Sequence, residues 1–132
     1  MPPPYLGSCH CGAVRFRMDH EPFELTTCDC SLCTKKNALM CAVPETELTI
    51  LAGEDKLSEY RWNTKIARHF FCSVCGIYTF HKKRSAPDHY GVNVFCLEGF
   101  DPDDYQHRAS EGAGMALAED APARFPGPRE AD

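Results

Sequence analysis

The chain is organised around the stretch Thr27-Cys28-Asp29-Cys30-Ser31-Leu32-Cys33-Thr34, which holds three cysteines within six residues. Disulfide pairing inside this stretch is disfavoured, because a disulfide needs facing Cβ vectors on Cα atoms roughly 4.4–6.8 Å apart. Closely spaced thiolates instead suit one soft metal ion, usually Zn²⁺. A structural zinc takes four protein ligands, whereas a catalytic zinc keeps three and leaves a position open. We therefore interpret Cys28, Cys30 and Cys33 as the ligands of a working zinc site.

Two cysteine pairs flank this triplet in the sequence. Cys72-Ser73-Val74-Cys75-Gly76 is typical of a zinc knuckle, in which two thiolates sit on a tight turn closed by glycine. Ser8-Cys9-His10-Cys11-Gly12 supplies another two thiolates, and the two pairs together would complete a tetrahedral site. If the chain is extended from residue 9, both sulfurs share one face and the histidine points to the other. The spacing also leaves open a knuckle that shares its metal with two cysteines of the triplet.

The length and charge of the chain exclude some classes of protein. The chain has 132 residues, which is enough for one domain, and we place that domain at residues 1–108. Residues 109–132 are rich in alanine, proline, glycine and acids, and we expect a tail there. The net charge is −5, and the 14 basic residues are scattered among 19 acidic ones. A nucleic-acid binder would show a clustered basic stripe, so we expect no nucleic-acid partner.

The nine cysteines favour metal binding over disulfides. The odd count disfavours a disulfide framework, and so does a start, Met-Pro-Pro-Pro-Tyr-Leu, that lacks the features of a signal peptide. No apolar run approaches the roughly 18 residues of a membrane span. We expect a cytoplasmic protein with no membrane partner.

Short apolar runs predict a chain made of strands. Residues 14–18 alternate in polarity, as a half-buried strand does, and residues 39–43 form a continuous apolar run. Cys41 lies in that run and is most simply a core residue. Lys35-Lys36-Asn37 reads as an exposed turn, and residues 47–62 read as a hairpin. Further strands are predicted at residues 66–71, 77–81 and 90–97, the last with Val92, Val94 and Cys96 on one face.

Three motifs in order closely resemble those of the glutathione-dependent formaldehyde-activating enzyme family, also called the centromere-protein-V family. They are Ser8-Cys9-His10-Cys11-Gly12-Ala13-Val14-Arg15-Phe16, Cys28-Asp29-Cys30-Ser31-Leu32-Cys33 and Phe71-Cys72-Ser73-Val74-Cys75-Gly76, with Val92-Asn93-Val94-Phe95-Cys96-Leu97-Glu98-Gly99 similar to its closing strand. The resemblance implies a mainly β fold of coiled antiparallel sheets, the zinc-binding β-tent type, with few or no helices. It also implies two Zn²⁺ ions per chain. One would be structural, on Cys9, Cys11, Cys72 and Cys75, and one catalytic, on Cys28, Cys30 and Cys33.

The activity that this resemblance implies joins formaldehyde to the thiol of glutathione and is classed as a carbon–sulfur lyase. We therefore expect a small thiol and a small aldehyde as partners. Three histidines near the cysteine motifs are candidates for a general base, namely His10, His69 and His81. Four basic residues are candidates for binding the carboxylates of glutathione, although each also suits a solvated face: Lys35, Lys36, Arg61 and Arg68. The acidic tail disfavours the chromatin-associated branch of the family, which would use a basic extension.

Two other classes of function stay open from the sequence. In a non-catalytic zinc-binding interaction module, the triplet would gain a fourth ligand, Cys41 or Cys96, and close. In a thiol reductase of the methionine-sulfoxide type, a free cysteine of low pKa would lie beside the substrate pocket. Cys96 is the candidate for that role.

Overall fold

The part of the chain that the structure describes folds into two β-sheets, one of three strands and one of seven. The computed structural model describes residues 3–28, 31–61, 68–83 and 88–110. In chain order the elements are β1 (Tyr5–Ser8), β2 (Arg15–Met18), β3 (Glu24–Cys28), α1 (Ser31–Lys36), β4 (Met40–Pro44), β5 (Leu48–Ala52), β6 (Leu57–Tyr60), β7 (Arg68–Cys72), β8 (Tyr78–Lys82), β9 (His89–Asn93) and β10 (Gln106–Ser110). A short 3₁₀ turn, Val94–Cys96, follows β9.

The strand pairing is antiparallel with one exception. The small sheet has the order β1-β2-β5, and the large sheet has the order β10-β3-β4-β9-β8-β7-β6. β10 pairs in parallel with β3, while the other pairs are antiparallel. Among the described residues, the six-residue α1 is the one α-helix. The prediction of a mainly β fold with few helices is confirmed.

The hydrophobic core lies between the two sheets. Phe16 of β2 and Phe80 of β8 meet edge to face, with ring centroids 5.4 Å apart, and both side chains are fully buried. Met18, Leu25, Val43 and Val92 are likewise fully buried, which joins both sheets in one cluster. Burial of such a side chain contributes about 1.5–3 kcal/mol. The predicted strands at 14–18 and 39–43 therefore supply core side chains from opposite sheets.

The predicted hairpin over residues 47–62 is wrong. β5 pairs with β2 in the small sheet, whereas β6 pairs with β7 in the large one, so the segment crosses from one sheet to the other. The crossing occurs at Gly53, whose φ is 80°, and at the 3₁₀ turn Glu54–Lys56. Polarity alternation marks both strands in the sequence but does not say which partner each one takes.

The predicted exposed turn at residues 35–37 is also partly wrong. Lys35 and Lys36 form the last turn of α1, and Asn37 follows in the left-handed region with a φ of 51°. The Asn37 N–H donates to the Cys33 carbonyl at 3.0 Å, as expected for a residue that ends a helix. Lys36 is consequently placed on the helix and half-buried, while Lys35 is exposed.

The last described strand passes the predicted domain boundary. We place the boundary at residue 108 from composition, but β10 ends at Ser110 because its backbone pairs with β3 from Gln106 onward. Residues 111–132, which make up nearly all of the predicted tail, lie outside the described residues, so the tail stays a prediction. Within the described part of the chain, no helix is long and apolar enough to cross a membrane.

Candidate metal centre and active site

Four cysteine sulfurs converge where β1 and β7 end. The Sγ atoms of Cys9, Cys11, Cys72 and Cys75 all lie within 4.8 Å of one another. Cys9 Sγ is 3.6 Å from Cys11 Sγ, and Cys11 Sγ is 3.7 Å from Cys72 Sγ. These separations are far from an S–S bond of about 2.05 Å. They match the sulfur separation of about 3.8 Å that a tetrahedral ion with metal–sulfur distances of about 2.3 Å requires. The four thiols can hold one metal ion.

Two glycine turns bring these sulfurs together. Gly12 and Gly76 follow the second cysteine of each pair and have φ values of 79° and 78°, a backbone conformation that favours glycine. In the first turn, the Gly12 N–H donates to the Cys9 carbonyl at 3.3 Å. The expectation that Cys9 and Cys11 share the face of an extended strand is therefore wrong, since the segment curls as a turn. In the second, the Gly76 N–H donates to the Cys72 carbonyl at 2.8 Å, as the knuckle motif predicts.

Backbone hydrogen bonds make this cluster suitable for thiolates. The Val14 N–H donates to Cys9 Sγ at 3.3 Å, and the Val74 N–H donates to Cys72 Sγ at 3.4 Å. Hydrogen bonds at the backbone of Cys11 and Ile77 lower the pKa of the Cys75 thiol to about 6. Because metals bind the thiolate form, donors aimed at sulfur favour metal binding. The exposed His10 lines a surface groove with Asn93 and Cys96 instead of joining the cluster.

The described cysteines of the triplet lie at a separate place. Cys28 is the last residue of β3 and Cys33 lies in α1, and both are half-buried. Cys30 lies outside the described residues, so the geometry of the three thiols as a set stays a prediction. Neither Cys28 nor Cys33 belongs to the four-thiol cluster.

Four polar side chains form a contiguous cluster between α1 and strands β7 and β8. Lys36 Nζ lies 3.0 Å from His69 Nδ1 and 3.7 Å from the centroid of the Tyr78 ring. His69 and His81 stack with ring centroids 5.1 Å apart, and the Tyr78 hydroxyl lies 2.5 Å from His81 Nδ1. We call these four residues the lysine–histidine cluster.

The electrostatics of the lysine–histidine cluster connect it to the triplet. Burial first and the charge of Lys36 second lower the pKa of His69 to about 3, and the Cys28 thiolate opposes them. Burial and the charge of Lys36 also lower the pKa of His81, and the Cys28 thiolate again opposes this lowering. Burial raises the pKa of Tyr78, and the Cys33 thiolate adds to this rise. Both imidazoles are therefore neutral hydrogen-bonding groups near neutral pH. Cys28 is near enough to act on both imidazoles, and Cys33 is near enough to act on Tyr78.

Residues 4–111 match the model of the family described as glutathione-dependent formaldehyde-activating enzyme. The chain belongs to this family. The match covers the four-thiol cluster, the triplet and the lysine–histidine cluster together, and the resemblance drawn from the three cysteine motifs is confirmed.

Individual proteins are also similar to this family member. A crystal structure of a Rhodobacter sphaeroides protein is 38% identical, with a TM-score of 0.71 over 78% of this chain and 99% of that one. A Halomonas elongata protein named "Putative glutathione-dependent formaldehyde-activating enzyme" is 57% identical over 30 residues. Those residues are 22% of this chain and span 19% of that protein.

The two remaining cysteines of this family member are core residues. Cys41 is buried between the sheets, where its thiol donates to Met18 Sδ at 3.7 Å, and burial raises its pKa to about 12. Cys96 is buried at the 3₁₀ turn, and burial raises its pKa to about 11. A reactive thiol needs a lowered pKa, so the environment of Cys96 gives no support to the reductase alternative.

The other basic candidates in this family member have different surroundings. Arg68 makes a bidentate ion pair with Glu59 at 3.0 and 2.8 Å, and Arg61 contacts the same carboxylate. Lys35 is exposed, which leaves Lys36 as the candidate beside the triplet. Sequence reasoning named His69, His81 and Lys36 separately, but it missed Tyr78 and the contacts that join the four.

Proposed function

We propose that this protein is a zinc-dependent carbon–sulfur lyase that acts on a small aldehyde–thiol adduct, of which S-hydroxymethylglutathione is the family's example. The observation that carries the proposal is the separation of the two cysteine sets. Cys9, Cys11, Cys72 and Cys75 converge without Cys28 or Cys33, the two described cysteines of the triplet. That set would hold a structural zinc, which leaves Cys28, Cys30 and Cys33 for a second ion with an open position.

The donor atoms fit zinc at both places. Four thiols at tetrahedral separations, with N–H groups aimed at sulfur, are a closed site of the structural kind. The triplet offers soft sulfur ligands at the end of β3 and the start of α1, and its described members are half-buried. A zinc ion there would supply a Lewis acid that lowers the pKa of a bound thiol or polarises an aldehyde oxygen.

The reaction itself needs few catalytic groups. In the synthetic direction the sulfur lone pair of the thiolate forms the C–S bond, and the π pair of the aldehyde C=O moves to oxygen. That oxygen then takes a proton from water, which gives the hydroxymethyl group. Cleavage is the reverse, with the thiolate as leaving group. The protein's part is to hold sulfur, carbon and oxygen in one geometry and to stabilise charge on sulfur and oxygen.

The residues around Cys28 and Cys33 support this role. Lys36 supplies positive charge on the helix that carries Cys33, and the neutral His69 and His81 line the region with hydrogen-bonding atoms. A partly buried site of this kind strengthens electrostatic interactions compared with bulk water. An anionic sulfur or oxygen would therefore be stabilised there.

The test is two-dimensional exchange NMR on mixtures of formaldehyde with several low-molecular-weight thiols. Because these reagents combine without a catalyst, we expect the zinc-loaded protein to accelerate exchange above the background with at least one thiol. The variants Cys30→Ser and Cys33→Ser should lose this acceleration. Cys41→Ala is the matched control, since it also removes one thiol but from the core, and it should retain the activity. Absence of acceleration with any thiol, from protein that holds both ions, would favour the non-catalytic module.

A further inference from the structure

Lys36 is held in a fixed place on α1, the helix that carries Cys33. Cys33 and Lys36 are three residues apart on α1, and residues at this spacing share a face of a helix. The side chain reaches across to β7 and β8, where Nζ lies 3.0 Å from His69 Nδ1 and 3.7 Å from the Tyr78 ring centroid. A lysine stem has four rotatable bonds, so two simultaneous contacts define where its ammonium sits.

The partners of Lys36 are suited to binding an ammonium group. His69 is buried and neutral, so its Nδ1 accepts a hydrogen bond from Nζ. The face of the Tyr78 ring attracts a cation at this distance. His81 in turn positions Tyr78, because its Nδ1 lies 2.5 Å from the phenolic oxygen. Together these residues orient a positive hydrogen-bond donor.

The Lys36 ammonium and the thiols of Cys28 and Cys33 all lie close to the rings of the lysine–histidine cluster. The charge of Lys36 lowers the pKa of both His69 and His81, and the Cys28 thiolate raises both. Each charge therefore lies close to the stacked pair. The Cys33 thiolate raises the pKa of Tyr78, and the Lys36 ammonium lies over the face of the Tyr78 ring. The lysine–histidine cluster therefore lies beside Cys28 and Cys33, the described cysteines of the triplet.

We propose that Lys36 binds the oxygen of the aldehyde, donating a hydrogen bond to it as the C–S bond forms, and that His69 and Tyr78 are positioning residues for Lys36. This inference rests on the proposed function. When a thiolate adds to an aldehyde, negative charge develops on the carbonyl oxygen. A preorganised cation aimed at that oxygen stabilises the transition state more than the ground state.

Substrate chemistry favours the oxygen over a carboxylate of glutathione as the group that Lys36 binds. The thiol of glutathione lies in the middle of the tripeptide, and its carboxylates are many bonds away at the two ends. Lys36 is one helical turn from Cys33, which we propose as a ligand of the zinc that would hold the reacting sulfur. The aldehyde oxygen is two bonds from that sulfur in the adduct, so it is the acceptor that lies within such a distance.

Lys36→Met and Lys35→Met are the matched pair of variants. Both remove one charge from the last turn of α1, but Lys35 is exposed. With a thiol that the wild-type protein accelerates, Lys36→Met should lower kcat about 100-fold with little change in KM for the thiol, as the loss of an oxyanion donor does. Lys35→Met should match wild type, and Lys36→Arg should restore part of the rate because it keeps a cationic donor.

A second readout does not depend on turnover. The carbon-13 linewidth of the labelled S-hydroxymethyl adduct reports its binding to protein of known zinc content. We expect Lys36→Met to weaken binding of the adduct and not of the bare thiol. A raised KM with unchanged kcat, or equal behaviour of the Lys36 and Lys35 variants, would overturn the inference. If wild-type protein accelerates no thiol, the proposed function fails instead, and the two failures are thereby distinguished.

Discussion

His69 and His81 stack face to face across β7 and β8, with ring centroids 5.1 Å apart and planes inclined by 19°. The two residues are directly opposite in the strand register. Each imidazole makes one further polar contact, His69 with Lys36 and His81 with Tyr78. The stacked pair therefore connects a cation on α1 to a phenol on β8, and it lies beside the cysteines to which we assign the chemistry.

Gly91 is the backbone on which the His81 ring rests, and its replacement tests that packing. A Cβ at Gly91 would lie 2.4 Å from His81 Cε1 and 2.9 Å from Nδ1, so Gly91→Ala must displace the imidazole. We expect the variant to lose about 1–3 kcal/mol of stability, as overpacked sites do. Chemical denaturation measures this loss, and the histidine NMR signals report the displaced ring.

The control for this change is a double-mutant cycle with His81→Ala. Once the ring is gone, the added methyl group has space, so Gly91→Ala should cost much less in the His81→Ala background. Equal costs in the two backgrounds would show that the alanine acts elsewhere, and the packing explanation would then be wrong.

Loss of a cysteine should have different consequences for stability at the two proposed metal sites. Cys75→Ser removes one of four converging ligands, and a structural zinc supplies about 10–16 kcal/mol of apparent binding energy that becomes folding energy. That is comparable with the whole stability of a typical domain, so we expect no cooperative unfolding transition. Cys33→Ser should leave a cooperative transition. Calorimetry checks both, and equal destabilisation would contradict the separation of structural and working sites.

The Glu59–Arg68 ion pair links β6 to β7 and should make stability fall in acid. Hydrogen bonds from Arg68 first and Arg61 next, together with the charges of both, lower the pKa of Glu59 to about 2 from 4.5, while burial opposes the shift. A lowered carboxyl pKa gives stability that is present above about pH 4.5 and is lost as the pH falls toward about 2. Because the pair is partly exposed, we expect Glu59→Gln to remove about 1 kcal/mol near neutral pH and less near pH 2.

Glu24→Gln is the matched control for that pair. Glu24 makes a single contact of 2.8 Å with Arg108, whose side chain is more than half exposed. We expect a change within about 0.5 kcal/mol at either pH. Denaturant titrations of both variants at neutral and acid pH provide the comparison. A loss for Glu59→Gln that is the same at both pH values would refute the assignment of the acid-sensitive stability to this carboxylate.

The Cys72–Cys75 half of the four-thiol cluster could be predicted from the sequence, because local spacing determines its turn, whereas spacing alone left its partner cysteines open. Cys72-x-x-Cys75-Gly76 forms the turn that its glycine predicts. The pairing of the histidines also has a sequence signal that the motif reasoning did not use. A tight knuckle makes β7 and β8 a hairpin, so a residue at 69 is expected to face one near 80, and the register shift between Phe70 and Phe71 then sets His69 opposite His81.

The remainder of the candidate site depends on tertiary structure that the sequence does not reveal. The β7–β8 register shifts at Phe70 and Phe71, and such irregularities commonly re-aim side chains, so the contact of Tyr78 with His81 does not follow from strand alternation. From the sequence, Lys36 is interpreted as part of an exposed turn because it is charged. The six-residue α1 is also too short to show the helical period of apolar residues. Its burial comes from β7 and β8, which follow more than thirty residues later.

The central claim is that one chain holds two metal ions on separate cysteine sets. Elemental analysis of freshly prepared, reduced protein before and after mild chelation tests it most directly. We predict two zinc ions per chain at first and one after chelation, because the triplet ion has one protein ligand fewer and should leave first. Cys33→Ser should hold one ion from the start. A single zinc in wild-type protein, unchanged by Cys33→Ser, or the absence of zinc would contradict the account.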